Sequence, residues 1–246
     1  MIFYLSCHKN EDLKKCGELI DRGGIIIFPT DTVYGIGCDP FNDVSALNLF
    51  KIKNRPLNKF FPILTNEISN LTPYAKITDE AKILIEYFWP GQLTIILKVQ
   101  NDVPFSKHIF DKSIAFRIPN NECTLKLIQC TKKKLLIGTS ANLSGQPPIA
   151  NIDLLENSGI TGYDAVITSE MKYILDVDSH IKNKNTIDTS HNQLNVINSI
   201  TRSANMTNIS DQISTIVDLV EPNKPKIQRE GIIPKEQIFQ VLARKV

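Results

Sequence analysis

One stretch constrains this chain more than any other: Gly23-Gly24-Ile25-Ile26-Ile27-Phe28-Pro29-Thr30-Asp31-Thr32-Val33-Tyr34-Gly35-Ile36-Gly37. Four large apolar residues in succession, after paired glycines, predict a buried strand. Pro29 has no N–H to offer a ladder, so pairing is expected to stop there. A polar turn follows, with two threonines, an aspartate and a tyrosine, and Gly35 and Gly37 close it. A strand that ends in hydroxyls and glycines is how an α/β protein exposes polar groups at the carboxyl edge of a sheet. An ordinary strand exit reads the same way, so the remaining residues must decide.

Around this stretch the pattern is that of a mixed α/β protein. Leu13, Cys16, Leu19 and Ile20 share one face of a helix over Glu11–Arg22, and Gly23 is its expected stop. Asp43 is placed as the N-cap of a second helix that runs into Lys51, Lys53 and Arg55 and is terminated by Pro56. Strands are expected over Phe60–Leu64, Leu93–Val99, Ser113–Ile118, Leu135–Ile137, Ala165–Ile167 and Ser214–Leu219, with Lys226–Arg229 continuing the last region. Helices are expected from Thr78 to Trp89, over Glu122–Cys130, and after Pro234. Elements alternate in part and strands run together elsewhere, which favours one mixed-sheet α/β domain over residues 1–246. Residues 172–212 differ in kind, being rich in Asn, Ser, Thr and Lys with no sustained period, and read as a polar insertion.

Composition excludes several classes. No run approaches the ~18 apolar residues that span a membrane, and the opening MIFYLSCHKNEDLKK turns charged too soon for a secretory signal. Five cysteines without a C-x-x-C pair are expected to stay reduced, in a cytoplasmic protein. The four histidines are scattered and no metal-ligating set is expected. A net charge of +2 does not by itself demand a nucleic-acid partner.

The chemistry-bearing residues are cations and hydroxyls. Lys53 and Arg55 lie at a helix end, where cations also complement the dipole. Arg117 sits among Ile114, Ala115, Phe116 and Ile118, a setting that calls for a carboxylate, either the protein's own or a ligand's. Arg229 ends a late strand. Gly138-Thr139-Ser140-Ala141-Asn142-Leu143-Ser144-Gly145 follows a strand directly, with small residues that let backbone approach an anion. A second Ser-Ala-Asn at Ser203–Asn205 lacks that context and is set aside. There is no Walker motif, no dinucleotide fingerprint and no nucleophile elbow. Such a set suits a polyanion and an amino or carboxylic acid, with chemistry by positioning and charge stabilisation.

PTDTVYGIG, KNRP, WPGQLT, AFRIP, GTSANLSG, and STIVDL before IQREG stand in the order found in the YrdC-like, threonylcarbamoyl-AMP synthase family, which the chain resembles from about Leu13 to Leu242 apart from the polar insertion. The resemblance implies a twisted mixed sheet with flanking helices around a basic cavity. It implies an enzyme, a nucleotidyltransferase that joins L-threonine, bicarbonate and ATP, with Mg²⁺, into threonylcarbamoyl-adenylate and releases pyrophosphate. The product then passes to a tRNA threonylcarbamoyl transferase, and weak RNA binding is a further expectation. The catalytic pair would be Lys53 and Arg55. ATP would be held by these two with Lys59, Ser113, Ser140, Asn142 and Arg229, and threonine by Thr30, Thr32, Tyr34, Arg117 and Ser214. The segment Phe60-Phe61-Pro62-Ile63-Leu64 is closer to the YciO branch, and no additional C-terminal domain is expected. A nucleotide- or RNA-binding module without the reaction is the alternative.

Overall fold

The computed structural model describes residues 2–100, 103–169, 213–221 and 223–244. The polar insertion at 172–212 and the second Ser-Ala-Asn therefore lie outside the described residues, apart from the insertion's first neighbours. The elements run β1 (Phe3–Ser6), α1 (Asn10–Asp21), β2 (Ile26–Phe28), β3 (Gly35–Gly37), α2 (Asp43–Ile52), β4 (Ile63–Thr65), α3 (Asp79–Phe88), β5 (Leu93–Lys98), β6 (Ser113–Arg117), α4 (Glu122–Cys130), β7 (Leu135–Ile137), β8 (Thr139–Ser140), β9 (Ala165–Thr168), β10 (Thr215–Asp218), β11 (Lys226–Arg229) and α5 (Lys235–Ala243).

The mixed α/β class holds, but the strands divide into two sheets. The first has the order β1-β9-β2-β3-β8 and the second β11-β10-β5-β6-β4-β7. Both mix parallel and antiparallel pairs: β2 is parallel to β9 and antiparallel to β3, and β5 is parallel to β10 and antiparallel to β6. The chain crosses from one sheet to the other between β7 and β8, where Gly138 N–H donates to the Pro62 carbonyl (3.0 Å). Side chains alternate across each strand. Ile25 and Ile27 join a core that spans both sheets, whereas Ile26 and Phe28 face a second cluster under α1 and α4. A strand buried on both faces is thus apolar at every position, as β2 is.

Local chemistry fixes the ends. Gly23, at φ +91°, closes α1: its N–H reaches the Ile20 carbonyl, and the Gly24 N–H reaches Leu19. Thr78 caps α3 through the Ala81 N–H. The cap of α2 is Asn42, whose side chain accepts from Ser45 N–H, and Asp43 is the first helical residue instead. Two expectations need further correction. β1 was not anticipated, because its few apolar residues gain their partner only from β9, far along the chain. Cys7 and Cys123 are joined in a disulfide across a sequence separation of 116, so the cysteines are not all reduced. The residue after β1 and the first turn of α4 lie together in the fold although 116 residues separate them in sequence. Cys16, Cys38 and Cys130 are free.

The organising stretch becomes a hairpin, with Ile27 opposite Ile36 and Phe28 opposite Gly35. Gly37 is required by close approach rather than by its backbone angles: a Cβ there would lie 1.7 Å from the Ile137 carbonyl oxygen. Gly37→Ala must therefore push β3 away from β7. It is expected to lower unfolding free energy by about 1–3 kcal/mol or more, as overpacking does, read by urea denaturation. No helix among the described residues is long and apolar enough to cross a membrane.

Candidate active site

A cavity of about 770 Å³ lies between the hairpin turn, the loop after β7, the segment 55–62 and the second sheet. Period-two alternation in the second sheet supplies one wall. In β6, Ser113, Ala115 and Arg117 line the cavity while Ile114 and Phe116 enter the core. In β5, Thr94 and Ile96 face the cavity while Leu93, Ile95 and Leu97 face inward. Thr30 and Thr32 come from the turn, Ser140 and Thr139 from β8, and Ser214 and Arg229 from β10 and β11 and their approaches.

Arg117 is paired by the protein itself. Its Nη2 lies 2.6 Å from Asp31 Oδ1, and the two side chains are 7% and 9% exposed. Nε donates to the Gly91 carbonyl (2.8 Å), and Nη1 is 3.4 Å from Thr32 Oγ1. Burial pulls the guanidinium below its ordinary range, and the Asp31 charge pulls it back. Three of its five N–H donors are engaged in this way, which leaves two. Gln92 Nε2 donates to the Asp31 carbonyl, so WPGQLT braces both the arginine and the turn. From beneath, Thr124 of α4 donates its hydroxyl to the Pro29 carbonyl.

Of the Lys-x-Arg pair, only Arg55 is among the cavity-lining residues. Asn54, at φ +47°, ends α2 in a left-handed turn in which Asn54 N–H reaches the Lys51 carbonyl and Arg55 N–H the Phe50 carbonyl. That reversal sends the two side chains apart. Arg55 lines the cavity, donating from Nε to the Lys59 carbonyl (2.6 Å) and from Nη2 to Phe60 (3.1 Å), with its guanidinium 5.1 Å from the Phe61 ring centre. Lys53 instead turns inward and is 2% exposed. Its Nζ donates to the carbonyls of Ser140 (2.5 Å) and Asn142 (2.7 Å) and lies 3.4 Å from Asn142 Oδ1. Lys53 is not among the cavity-lining residues; it holds the Ser140–Asn142 loop from behind.

Burial, with Arg55 adding to it, pulls Lys53 from its ordinary 10.5 to about 7. The folded value is then depressed below the unfolded one. Between about pH 7 and 10.5 the unfolded chain keeps a proton that the folded chain has released. Stability should therefore rise with pH across that window. Denaturation of the native chain and of Lys53→Met at pH 7 and near pH 10 checks it: the native chain should gain on the variant as pH rises.

Two other expected residues also stay out of the cavity lining. Asn142 accepts from Ser140 Oγ (2.5 Å) and donates to the Leu143 and Gln146 carbonyls, so its side chain shapes the loop. Tyr34 shares a hydrogen bond with Thr168 Oγ1 (3.0 Å), and its carbonyl accepts from Ala141 N–H. Thr30, Thr32, Arg55, Lys59, Ser113, Arg117, Ser140, Ser214 and Arg229 are brought together. Arg229 donates to the Ser214 carbonyl (2.8 Å) and hydroxyl (3.1 Å), and that hydroxyl shares a hydrogen bond with Thr94. Burial, then Arg117 and Arg55, lowers Arg229 as well.

Sequence reasoning missed Asp31, Thr94 and Gln92 as parts of the site. Each stands inside a motif already singled out, and Asp31 is the carboxylate that the setting of Arg117 called for. The cations split into two kinds. Arg117 is neutralised by Asp31, whereas Arg55, Lys59 and Arg229 have no ion-pair partner among the described residues. No carboxylate is among the lining residues.

These features define a mixed α/β protein with a cavity between two sheets that is lined by cations and hydroxyls. The sequence model of the Sua5/YciO/YrdC family, described as telomere recombination, matches residues 18–199, and the chain belongs to that family. It is 33% identical over 128 residues to a threonylcarbamoyl-AMP synthase of Klebsiella pneumoniae, a match covering 50% of this chain and 66% of that protein. In structure it is similar to P. abyssi Sua5 complexed with L-threonine, at 24% identity and a TM-score of 0.73, covering 98% of this chain and 60% of Sua5. It is also similar to E. coli YciO, at 20% identity and a TM-score of 0.68, covering 97% and 98% of the two chains. These structural likenesses concern the fold.

Proposed function

We propose that this protein is an enzyme that makes L-threonylcarbamoyladenylate from L-threonine, bicarbonate and ATP. The observation that carries the reading is the division of the cavity's charge: Arg55, Lys59 and Arg229 without an ion-pair partner among the described residues, and Arg117 neutralised by Asp31. Phosphates suit the unneutralised cations, and the carboxylate of an amino acid suits the two remaining donors of Arg117. The name of the Klebsiella relative, and the threonine bound to Sua5, support the same assignment.

In this reading bicarbonate takes up a proton and loses water to give carbon dioxide, and the neutral threonine amine adds to it and loses a proton, giving a carbamate. A carbamate oxygen attacks the α-phosphorus of ATP, and the bond to the β-phosphate oxygen breaks to release pyrophosphate. Arg55, Lys59 and Arg229 stabilise the phosphate charge, the role expected for fixed cations in nucleotidyl chemistry. Ser113 and Ser140 orient the nucleotide, and Thr30, Thr32, Arg117 and Ser214 the threonine. Lys53 and Asn142 act through the loop that carries Ser140. Among the described residues there is no group of three or more His, Cys, Asp or Glu that could hold a metal ion. The ion would come on the ATP phosphates, where Mg²⁺ commonly keeps its waters.

Transfer of the product to a tRNA threonylcarbamoyl transferase completes the proposal, with the chain acting in the cytoplasm. The alternative, a nucleotide- or RNA-binding module without the reaction, draws on one observation: Phe60 and Phe61 occupy the cavity wall. Pyrophosphate release separates the two. It should require both threonine and bicarbonate, and ATP binding without release under those conditions would favour the alternative.

A further inference from the structure

Asp31 takes no part in the reaction proposed above, yet its placement is tightly constrained. Its carbonyl is held by Gln92, and the neighbouring Thr30 hydroxyl accepts from Thr32 N–H and donates to the Val33 carbonyl (2.6 Å). One carboxylate oxygen, Oδ1, lies on Arg117. The other, Oδ2, is the one buried side-chain polar atom without a hydrogen-bond partner among the described residues. The carboxylate therefore meets Arg117 through one oxygen, with its full charge beside that guanidinium. What it contributes to the cavity is its charge.

We infer that Asp31 is a specificity-determining residue that keeps phosphates off Arg117 and reserves the free donors of that guanidinium for a zwitterion. Four cations without a carboxylate would accept a phosphate anywhere along the cavity. With Asp31 Oδ1 2.6 Å from Nη2, a phosphate on the free donors of Arg117 would meet a second negative charge directly behind them. Repulsion of the wrong ligand is as effective a route to selectivity as attraction of the right one. An α-amino acid escapes this repulsion because its ammonium stands beside its carboxylate. The identity of the amino acid rests on the function proposed above; the exclusion of phosphate does not.

The test is calorimetric titration of the full chain with pyrophosphate, with and without excess L-threonine. The native chain should bind one pyrophosphate, undisturbed by threonine. Asp31→Asn, which keeps the acceptor oxygen but removes the charge, should bind two, one of them displaced by threonine. One pyrophosphate in both proteins overturns the inference. Failure of the native chain to bind threonine, with the count still rising from one to two, would sink the proposed function and leave the role of Asp31 standing. If thermal melting shows that Asp31→Asn does not fold, the native chain still decides. A second pyrophosphate, or one displaced by threonine, overturns the inference, and a single site unaffected by Arg117→Lys upholds it.

Discussion

Arg117→Ala is expected to destabilise the protein by about 3–5 kcal/mol and to abolish threonine-dependent pyrophosphate release. The stability loss follows from what is left behind. Asp31 would keep a buried charge with no cation beside it, and breaking a buried pair on one side costs about that much. Arg117→Lys separates charge from shape. An ammonium can stay beside Asp31 but cannot also reach the Gly91 carbonyl and present a planar pair of donors. The KM for threonine should rise about tenfold or more in Arg117→Lys, since about 1.4 kcal/mol of lost binding suffices for that. The KM for ATP should hardly move, because its phosphates are assigned to other cations. Urea denaturation, and titration of threonine and ATP separately, read these effects. If Arg117→Lys weakens ATP and spares threonine, the division of the cavity is reversed. If neither substrate is affected, Arg117 serves structure alone.

Arg55→Ala is expected to slow turnover about 10²–10³-fold, the cost of removing one preorganised charge from a developing anion. Its fold penalty should be small, of the order of one hydrogen bond, about 1 kcal/mol. The bonds at stake run to the Lys59 and Phe60 carbonyls of an exposed segment. Lys53→Met provides the contrast. The hydrogen bonds of the Lys53 ammonium run to the loop behind the cavity, so its loss should move melting temperature and the nucleotide KM before it moves the chemical step. Single-turnover kinetics with stopped-flow detection of pyrophosphate would distinguish the two. Near-normal turnover in Arg55→Ala would return that residue to a structural role.

Much of the cavity was legible in the residues. The hairpin turn, the cationic Arg55 and Arg229, and the Gly138–Ser140 start of the loop, each singled out in the sequence, line one cavity. Arg117 was identified from its surroundings alone, because an arginine in an apolar strand needs a carboxylate. Which carboxylate it takes was not legible, although Asp31 stands within the same stretch that first drew attention. The separation between Asp31 and Arg117 is 86 residues, and no local pattern records a contact at that distance.

What the amino-acid order determined by itself was local: the apolar run of β2, the caps at Gly23 and Thr78, and the alternation that turns Ser113, Ala115 and Arg117 to one face of β6. Each depends on chain geometry within a few residues, where period and steric preference act directly. The tertiary structure decided the division into two sheets, the Cys7–Cys123 pairing and the fate of Lys53. Lys53 and Arg55 look alike in sequence, and only the left-handed turn at Asn54 and the arrival of the Ser140 loop part them. Those outcomes depend on which surfaces meet after the elements have formed, and burial then gives the same charge two different tasks.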